Sequence, residues 1–297
     1  MAESDGNIIH TIRRNIIVVR TDRQIELFLD DLKKILKNNK RVVMSIDMEF
    51  NGTYRDIALI QLMVMNNPTD YHPHTYPIYI FDPRIMNTRQ CQLMIDQVFR
   101  SNTIRLMHGS DSMDIRYIAT ILSKPEMKRF CENLVDTLFM CEIIRIIRRK
   151  LNLNVPPKAC SLYNSLLLTN TIDTEQYDAI DQIDTQINYR QRWDIMRLSK
   201  TQTIYSALDV AFLFELLNQM YGMFASSADD LLKAINHLYI SYLGDVYGFV
   251  HPHQFKNQYK VNYVDELNQS HPLTVTPDDI QNIGRLKKTI NTIARSM

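Results

Sequence analysis

Apolar residues at Ile25, Phe28, Leu29, Leu32 and Ile35 recur at helical spacing across residues 22–39, with acids and lysines on the other face, and predict an amphipathic helix. Val42, Val43, Met44, Ser45 and Ile46 form a short, nearly continuous apolar run, as in a strand covered on both faces, and it leads straight into Asp47. Residues 56–65 alternate Ile57, Leu59, Gln61 and Met63 with Ala58, Ile60, Leu62 and Val64, and residues 77–81 form a further strand candidate beyond a His/Pro-rich loop. Three neighbouring strands with short links predict an antiparallel meander. From residue 88 the pattern changes to helix 88–100, strand 103–107, helix 111–122, strand 133–137 and helix 138–150, which is βα alternation.

Beyond this the chain reads less regularly. Residues 151–198 are polar and loop-prone around Pro156 and Pro157, with one short apolar stretch at Leu166–Leu168, and a long helix then runs from Ser199 to about Tyr221. Residues 226–243 predict another helix and 249–270 an irregular His/Gln/Asn-rich stretch. Thr276 and Pro277 then read as the cap and first position of a final basic helix. The expected architecture is α/β: a mixed five-stranded sheet flanked by helices in residues 1–225, then a mainly helical extension in 226–297.

Composition narrows the classes. A chain of 297 residues with 45% hydrophobic residues can bury a substantial core, which excludes disorder. None of its seven glycines stands in a dinucleotide fingerprint or a Walker loop, so nucleotide binding of those types is excluded. Cys91, Cys131, Cys141 and Cys160 show no Cys-x-x-Cys pairing and read as reduced thiols of an intracellular protein, in cytoplasm or nucleus. The opening Met-Ala-Glu-Ser-Asp-Gly lacks a basic segment leading into an apolar one, and no run approaches the ~18 apolar residues of a membrane span, so neither secretion nor membrane insertion is expected. Net charge is +1, which gives no global attraction to nucleic acid and leaves a local basic groove open.

Three clusters could carry chemistry. Asp47 and Glu49 flank Met48 at the end of the apolar strand, and period-two alternation puts both carboxylates on one face. Adjacent anions repel unless they are solvated, paired or holding a divalent cation, and for this tripeptide alone a strand end emerging into solvent suffices. Tyr205 and Asp209 lie one helical turn apart, although a core aromatic and a surface acid would use the same spacing. In His108-Gly109-Ser110-Asp111-Ser112-Met113-Asp114, a strand-to-helix junction, either Asp111 or Asp114 could simply cap the helix, which leaves the other acid open.

Taken in order, Asp-x-Glu on an early strand, an Asp at a strand-to-helix junction about 65 positions later and Tyr-x3-Asp on a late helix resemble the three motifs of the DEDD superfamily of 3'-5' exonucleases. Ser45-Ile46-Asp47-Met48-Glu49-Phe50 followed by Leu59-Ile60-Gln61-Leu62 is similar to the ribonuclease D form of the first motif. His108-Gly109 with Met113-Asp114-Ile115 resembles the second motif of exosome-associated relatives, Val135-Asp136-Thr137 the close of the following strand, and Tyr205-Ser206-Ala207-Leu208-Asp209-Val210 the third. Trp193 and Leu198 fall at the family's offsets. The resemblance covers roughly residues 42–220. One extra residue after His108-Gly109 sets Asp111 against Asp114, and Asp114 keeps the apolar offsets of Ile115, Tyr117 and Ile118. Met196-Arg197-Leu198 lacks the family's proline. Ile204 stands where the histidine subclass has its base, so the likeness is to the tyrosine subclass.

The resemblance implies a ribonuclease H-like fold and a metal-dependent 3'-5' exonuclease acting on single-stranded RNA or DNA, RNA favoured, with nucleoside 5'-monophosphates as products. It implies that Asp47, Glu49, Asp114 and Asp209 hold two Mg2+ or Mn2+ ions, Asp47 bridging, hard oxygen donors being suited to those cations and not to zinc. Tyr205, a phenol with a reference pKa near ~10, then positions the attacking water and does not act as a base near neutral pH. Phe50 and His108 are the substrate-facing candidates, with Tyr54 a second aromatic for stacking. Basic groups at Arg145, Arg148, Arg149, Lys150 and Lys158 and at Arg285, Lys287, Lys288 and Arg295 could meet phosphates, though such runs are more often solvated faces. His72 with His74 and His251 with His253 read as loop histidines, and Asp136 as a backbone anchor. The competing reading is a nucleic-acid-binding adaptor without turnover, against which the full set of four acids and the tyrosine argues.

Overall fold

The structure, a computed structural model, describes residues 8–39, 42–52, 56–66, 76–110, 113–155, 160–188, 192–224, 229–250, 256, 258–281 and 283. Its first elements are α1 (Ile8–Arg14), β1 (Ile16–Val19) and α2 (Asp22–Asn38). The meander β2 (Val43–Asn51), β3 (Asp56–Met65) and β4 (Ile78–Phe81) follows as expected, β3 pairing antiparallel with both neighbours. The chain then alternates through α3 (Thr88–Met94), which continues as a π-helical turn over 95–99, β5 (Ile104–Met107), α4 (Asp114–Ile121), α5 (Lys124–Glu132), β6 (Leu134–Asp136) and α6 (Thr137–Lys150).

The sheet has six strands, not five, in the order β1-β4-β3-β2-β5-β6. The unexpected one, β1, is four residues long and pairs parallel to β4, from Ile16 with Ile78 to Val19 with Phe81. A strand that short, with a partner so distant in the chain, carries no hairpin or periodicity cue. β4 shows why its run is apolar throughout: Tyr79 and Phe81 meet Phe28 of α2 with ring centroids 4.8 and 4.9 Å away, while Ile80 joins Trp193 and Ile195 on the other side.

Residues 151–198 hold two helices where a loop was expected, α7 (Leu162–Leu168) and α8 (Thr174–Thr185), and α5 was likewise unexpected. Each has a side-chain cap: Ser161 for α7, and reciprocal capping boxes of Asp173 with Gln176 for α8 and Ser123 with Glu126 for α5. The long late helix is two, α9 (Lys200–Ala211) and α10 (Leu213–Gly222). In the C-terminal part α11 (Asp229–Tyr247) matches expectation. The irregular stretch contains a hairpin, β7 (Tyr259–Val264) and β8 (Ser270–Val275), before the short α12 (Pro277–Gln281). The side chains of Tyr259, Val261 and Tyr263 alternate inward, but the polar partners between them hide the strand in the sequence.

α11 packs against α5, α6 and β6, and the Tyr239 ring lies 4.4 Å from that of Phe139. Arg148 is nearly buried: it meets Glu266 through both terminal nitrogens at 2.8 and 3.1 Å, donates to the Tyr263 hydroxyl at 3.1 Å and through Nε to the Asn154 carbonyl at 2.7 Å. Lys150 pairs with Asp279. Two cations of the basic run therefore face the C-terminal segment instead of a phosphate groove.

The cysteines need correction. Cys141 of α6 and Cys160 form a disulfide, with Cα atoms 6.0 Å apart, while Cys91 and Cys131 remain thiols. Their separation of 19 residues carries no motif, because the pairing depends on the tertiary placement of Cys160, just before α7, against Cys141 of α6. No helix among the described residues is long and apolar enough to cross a membrane.

Candidate functional site

The site forms where parallel strands end. β2 pairs with β5 only as far as Ser45 with Leu106, so Asp47 and Glu49 extend past the carboxyl end of β5, the place where open α/β sheets leave a crevice. Across the sheet Asp47 is registered with Gln61 of β3 and Glu49 with Leu59, and a register shift between Glu49 and Phe50 bends the strand just beyond. α9 lies against β2, β3 and β4 and carries Tyr205 and Asp209 to this face. Its start is set by Ser199 and Gln202, which cap each other's backbone.

Asp47, Glu49 and Asp209 come together: each offers a carboxylate oxygen, and these atoms all lie within 4.8 Å of one another. The three retain some solvent contact but stand deep among protein atoms. Burial pushes Asp47 up to about 7, against a weaker opposing pull from the Met48 backbone. Glu49 is held well above the carboxylate range first by burial and then by the charges of Asp47, Asp209 and Asp114. Asp209 is raised by burial and by Asp47, the Tyr163 hydrogen bond working the other way. Three crowded anions that resist ionising together are what a divalent cation on hard oxygen donors would relieve, so the residues present fit Mg2+ or Mn2+.

Asp114 is the first residue of α4 and is buried. It bears on Glu49 electrostatically but stands outside the tight group of three. Its rival Asp111 lies outside the described residues, as do Tyr54, Lys158, the paired loop histidines and the basic residues after 284. The turn leading to α4 is held by Asp136, which accepts from the Gly109 and Ser110 amides at 2.9 and 2.8 Å and from the Ser110 hydroxyl at 2.7 Å. Gly109 has φ +74°, which an L side chain would strain. Ser110 also lies 3.0 Å from the Tyr239 hydroxyl of α11, so the C-terminal segment reaches the same turn.

Tyr205 stacks on Trp193 with ring centroids 6.2 Å apart, in a cluster with Leu59, Ile80 and Leu198. Phe50 is partly buried and meets Tyr117 edge-on at 6.5 Å. His108 uses both ring nitrogens inside the chain, Nδ1 with the Thr137 hydroxyl at 2.8 Å and Nε2 donating to the Cys160 carbonyl at 3.2 Å. The residue that sequence reasoning missed is Tyr163 of α7, whose hydroxyl donates to Asp209 Oδ1 at 2.7 Å. Burial and the Asp209 charge raise this phenol well above its ordinary value, so it keeps its proton. Nothing local marks it, since its partner is 46 positions away.

A mixed six-stranded sheet flanked by helices, with an acidic cluster past the end of a central strand, is an α/β architecture with these charged groups gathered at one end of the sheet. The whole-chain comparison agrees: the structure superposes on RNase D of Trypanosoma brucei, solved in complex with GMP, at a TM-score of 0.56 and 17% identity, covering 93% of this chain and 74% of that one. The chain thus has the fold of that ribonuclease D. A nuclease in its apo form aligns more distantly, at a TM-score of 0.44 and 15% identity over 73% of this chain and 85% of that one. In sequence, an uncharacterized protein of Acanthamoeba polyphaga mimivirus is 26% identical over 231 residues, which is 73% of this chain and 43% of the viral protein. No protein-family profile matches the chain.

Proposed function

We propose that the protein is a metal-dependent exonuclease that removes nucleotides one at a time from the 3' end of single-stranded nucleic acid inside the cell, RNA in preference to DNA, releasing nucleoside 5'-monophosphates. The observation that carries this reading is the convergence of Asp47, Glu49 and Asp209 within 4.8 Å on a ribonuclease D fold. The GMP bound by the trypanosome enzyme, a mononucleotide, suits the same product class. Residues 1–225 are the nuclease unit and 226–297 an extension that braces it through α11.

Asp47, Glu49, Asp209 and, from α4, Asp114 would hold two divalent ions, Mg2+ or Mn2+. When bound, such ions supply Lewis-acid activation of water and offset the charge that develops on the leaving 3' oxygen. The chain's own residues orient and enclose. Tyr205, its ring held by Trp193, directs its hydroxyl to the attacking water beside Asp209. Phe50 meets the terminal base, and His108 shapes the turn that carries Asp114 and borders the scissile end.

The test is Mn2+-dependent release of mononucleotides from a 3'-labelled oligonucleotide, RNA and DNA compared, with Asp47→Ala and Asp209→Ala alongside. Release abolished by both substitutions and by a blocked 3' hydroxyl is expected. Activity that survives both substitutions sinks the assignment, and tight binding without turnover favours the adaptor.

A further inference from the structure

Asp209 has to present an oxygen to Asp47 and Glu49 from a neighbouring helix, and an aspartate side chain rotates about two bonds unless something holds it. Tyr163 supplies that hold. Its 2.7 Å hydrogen bond to Oδ1 is in the short range of bonds to charged oxygens, and it comes from α7, a different helix from the one that carries Asp209.

The donor is itself firmly mounted. Its ring packs against the main core, and Ser161 Oγ accepts from the Asn164 amide at 3.4 Å to start the helix. The Tyr177 hydroxyl of α8 donates to Asn164 Oδ1 at 3.1 Å. Just before the cap, Cys160 is tied to α6 by its disulfide and to His108 through its carbonyl. Tyr205, by contrast, approaches from Asp209's own helix and leans on Trp193, so the two phenols have separate supports.

We propose that Tyr163 is a positioning residue of the acidic site: its hydroxyl fixes Asp209 Oδ1, so that the other oxygen is presented to a divalent cation together with Asp47 and Glu49. This rests on the metal-dependent nuclease reading above and adds a residue that its three motifs do not contain. Groups that orient a metal's ligands typically change metal affinity or activity by about 10–100-fold when removed. The bond between Tyr163 and Asp209 places the tyrosine in that role without contact to substrate.

Tyr163→Phe deletes one oxygen and keeps the ring. In the full chain, Mn2+ alone is titrated and its free concentration read by electron paramagnetic resonance, with mononucleotide release measured against Mn2+ in parallel. The Phe variant is expected to need about tenfold more Mn2+ for half-saturation in both readouts, at the low end of that range. Its KM for the oligonucleotide at saturating Mn2+ should stay near the wild-type value. Tyr163→His, which keeps a ring N–H donor, should recover part of the loss. A Phe variant with the wild-type Mn2+ midpoint overturns the role. So does an equal loss in Phe and His variants with raised KM or altered circular dichroism, since that assigns Tyr163 to packing alone. A wild type that binds Mn2+ without releasing nucleotides overturns the nuclease reading while the titration still decides Tyr163, and one that binds no Mn2+ overturns both.

Discussion

The side chain of Asn51 and the backbone of Trp193 exchange two hydrogen bonds: Asn51 Nδ2 donates to the Trp193 carbonyl at 2.9 Å, and the Trp193 amide donates to Asn51 Oδ1 at 2.6 Å. The amide stands in for a strand partner at the end of β2. It pins the segment whose indole stacks on Tyr205, so the strand that carries Asp47 and Glu49 also sets the wall behind Tyr205.

Asn51→Ala should therefore loosen that wall. It leaves an amide and a carbonyl unpaired at a residue only 3% exposed, a loss of about 1–3 kcal/mol. Trp193 is the only tryptophan, so its emission reports this site alone. A red-shifted spectrum, a lower urea midpoint and reduced turnover are expected, and unchanged emission would contradict the pinning.

The metal-free chain should lose stability as pH rises. Asp47 titrates at about 7 when folded, against ~3.9 for an unfolded aspartate, so the folded state holds this proton more tightly. Its contribution is fully present below about pH 4 and is lost as pH climbs through about 7. Glu49→Gln removes a charge that Asp47, Asp209 and Asp114 all oppose. In chelator at pH 8 the variant should melt about 1–2 °C above wild type, the shift that ~1 kcal/mol produces in a chain of this size, with the gap narrowing at pH 5. Mn2+ should raise the wild-type melting temperature at pH 8 more than the variant's. Parallel melts with and without Mn2+ decide it.

Glu266→Ala should cost more than an ordinary surface pair. Glu266 is 46% exposed but its partner Arg148 only 5%, so deletion strands a nearly buried guanidinium with Tyr263 and Asn154. The expected loss is about 2 kcal/mol, between exposed and fully buried pairs. Chemical denaturation measures it, and a change under ~0.5 kcal/mol would show that the pair does not anchor the hairpin.

Reducing the bond between Cys141 and Cys160 should destabilise the fold by about 3 kcal/mol, from the loop it closes over 19 residues. Denaturation with and without a phosphine reductant tests this, with Cys141→Ser as the permanent counterpart. Identical midpoints would refute it.

Much of the layout was legible because it is local. The β3 range, the meander and the βα alternation all appear in the order of apolar and polar residues. α5 and α8 were legible in principle, since Ser123 with Glu126 and Asp173 with Gln176 are capping boxes written in the letters, but the many charged and polar residues of both segments mask them. β1 and β7 were not, one too short and the other too polar. At the site, Asp47, Glu49 and Asp209 meet, while Phe50 and His108 are engaged with Tyr117, Thr137 and Cys160 in ways no spacing foretells.

Alone, the order of residues determined the short-range geometry: the pleat of β2 sets Asp47 and Glu49 on one side, and a single helical turn sets Tyr205 beside Asp209. Tertiary structure alone decided that α9 crosses β2, that Tyr163 reaches Asp209, that Asn51 grips Trp193 and that Cys141 finds Cys160. The physical reason is the range of the forces involved. Bond geometry dictates relations between neighbours, whereas contacts across tens of residues form only because whole apolar faces are buried together, and the packed faces carry their polar side chains into register.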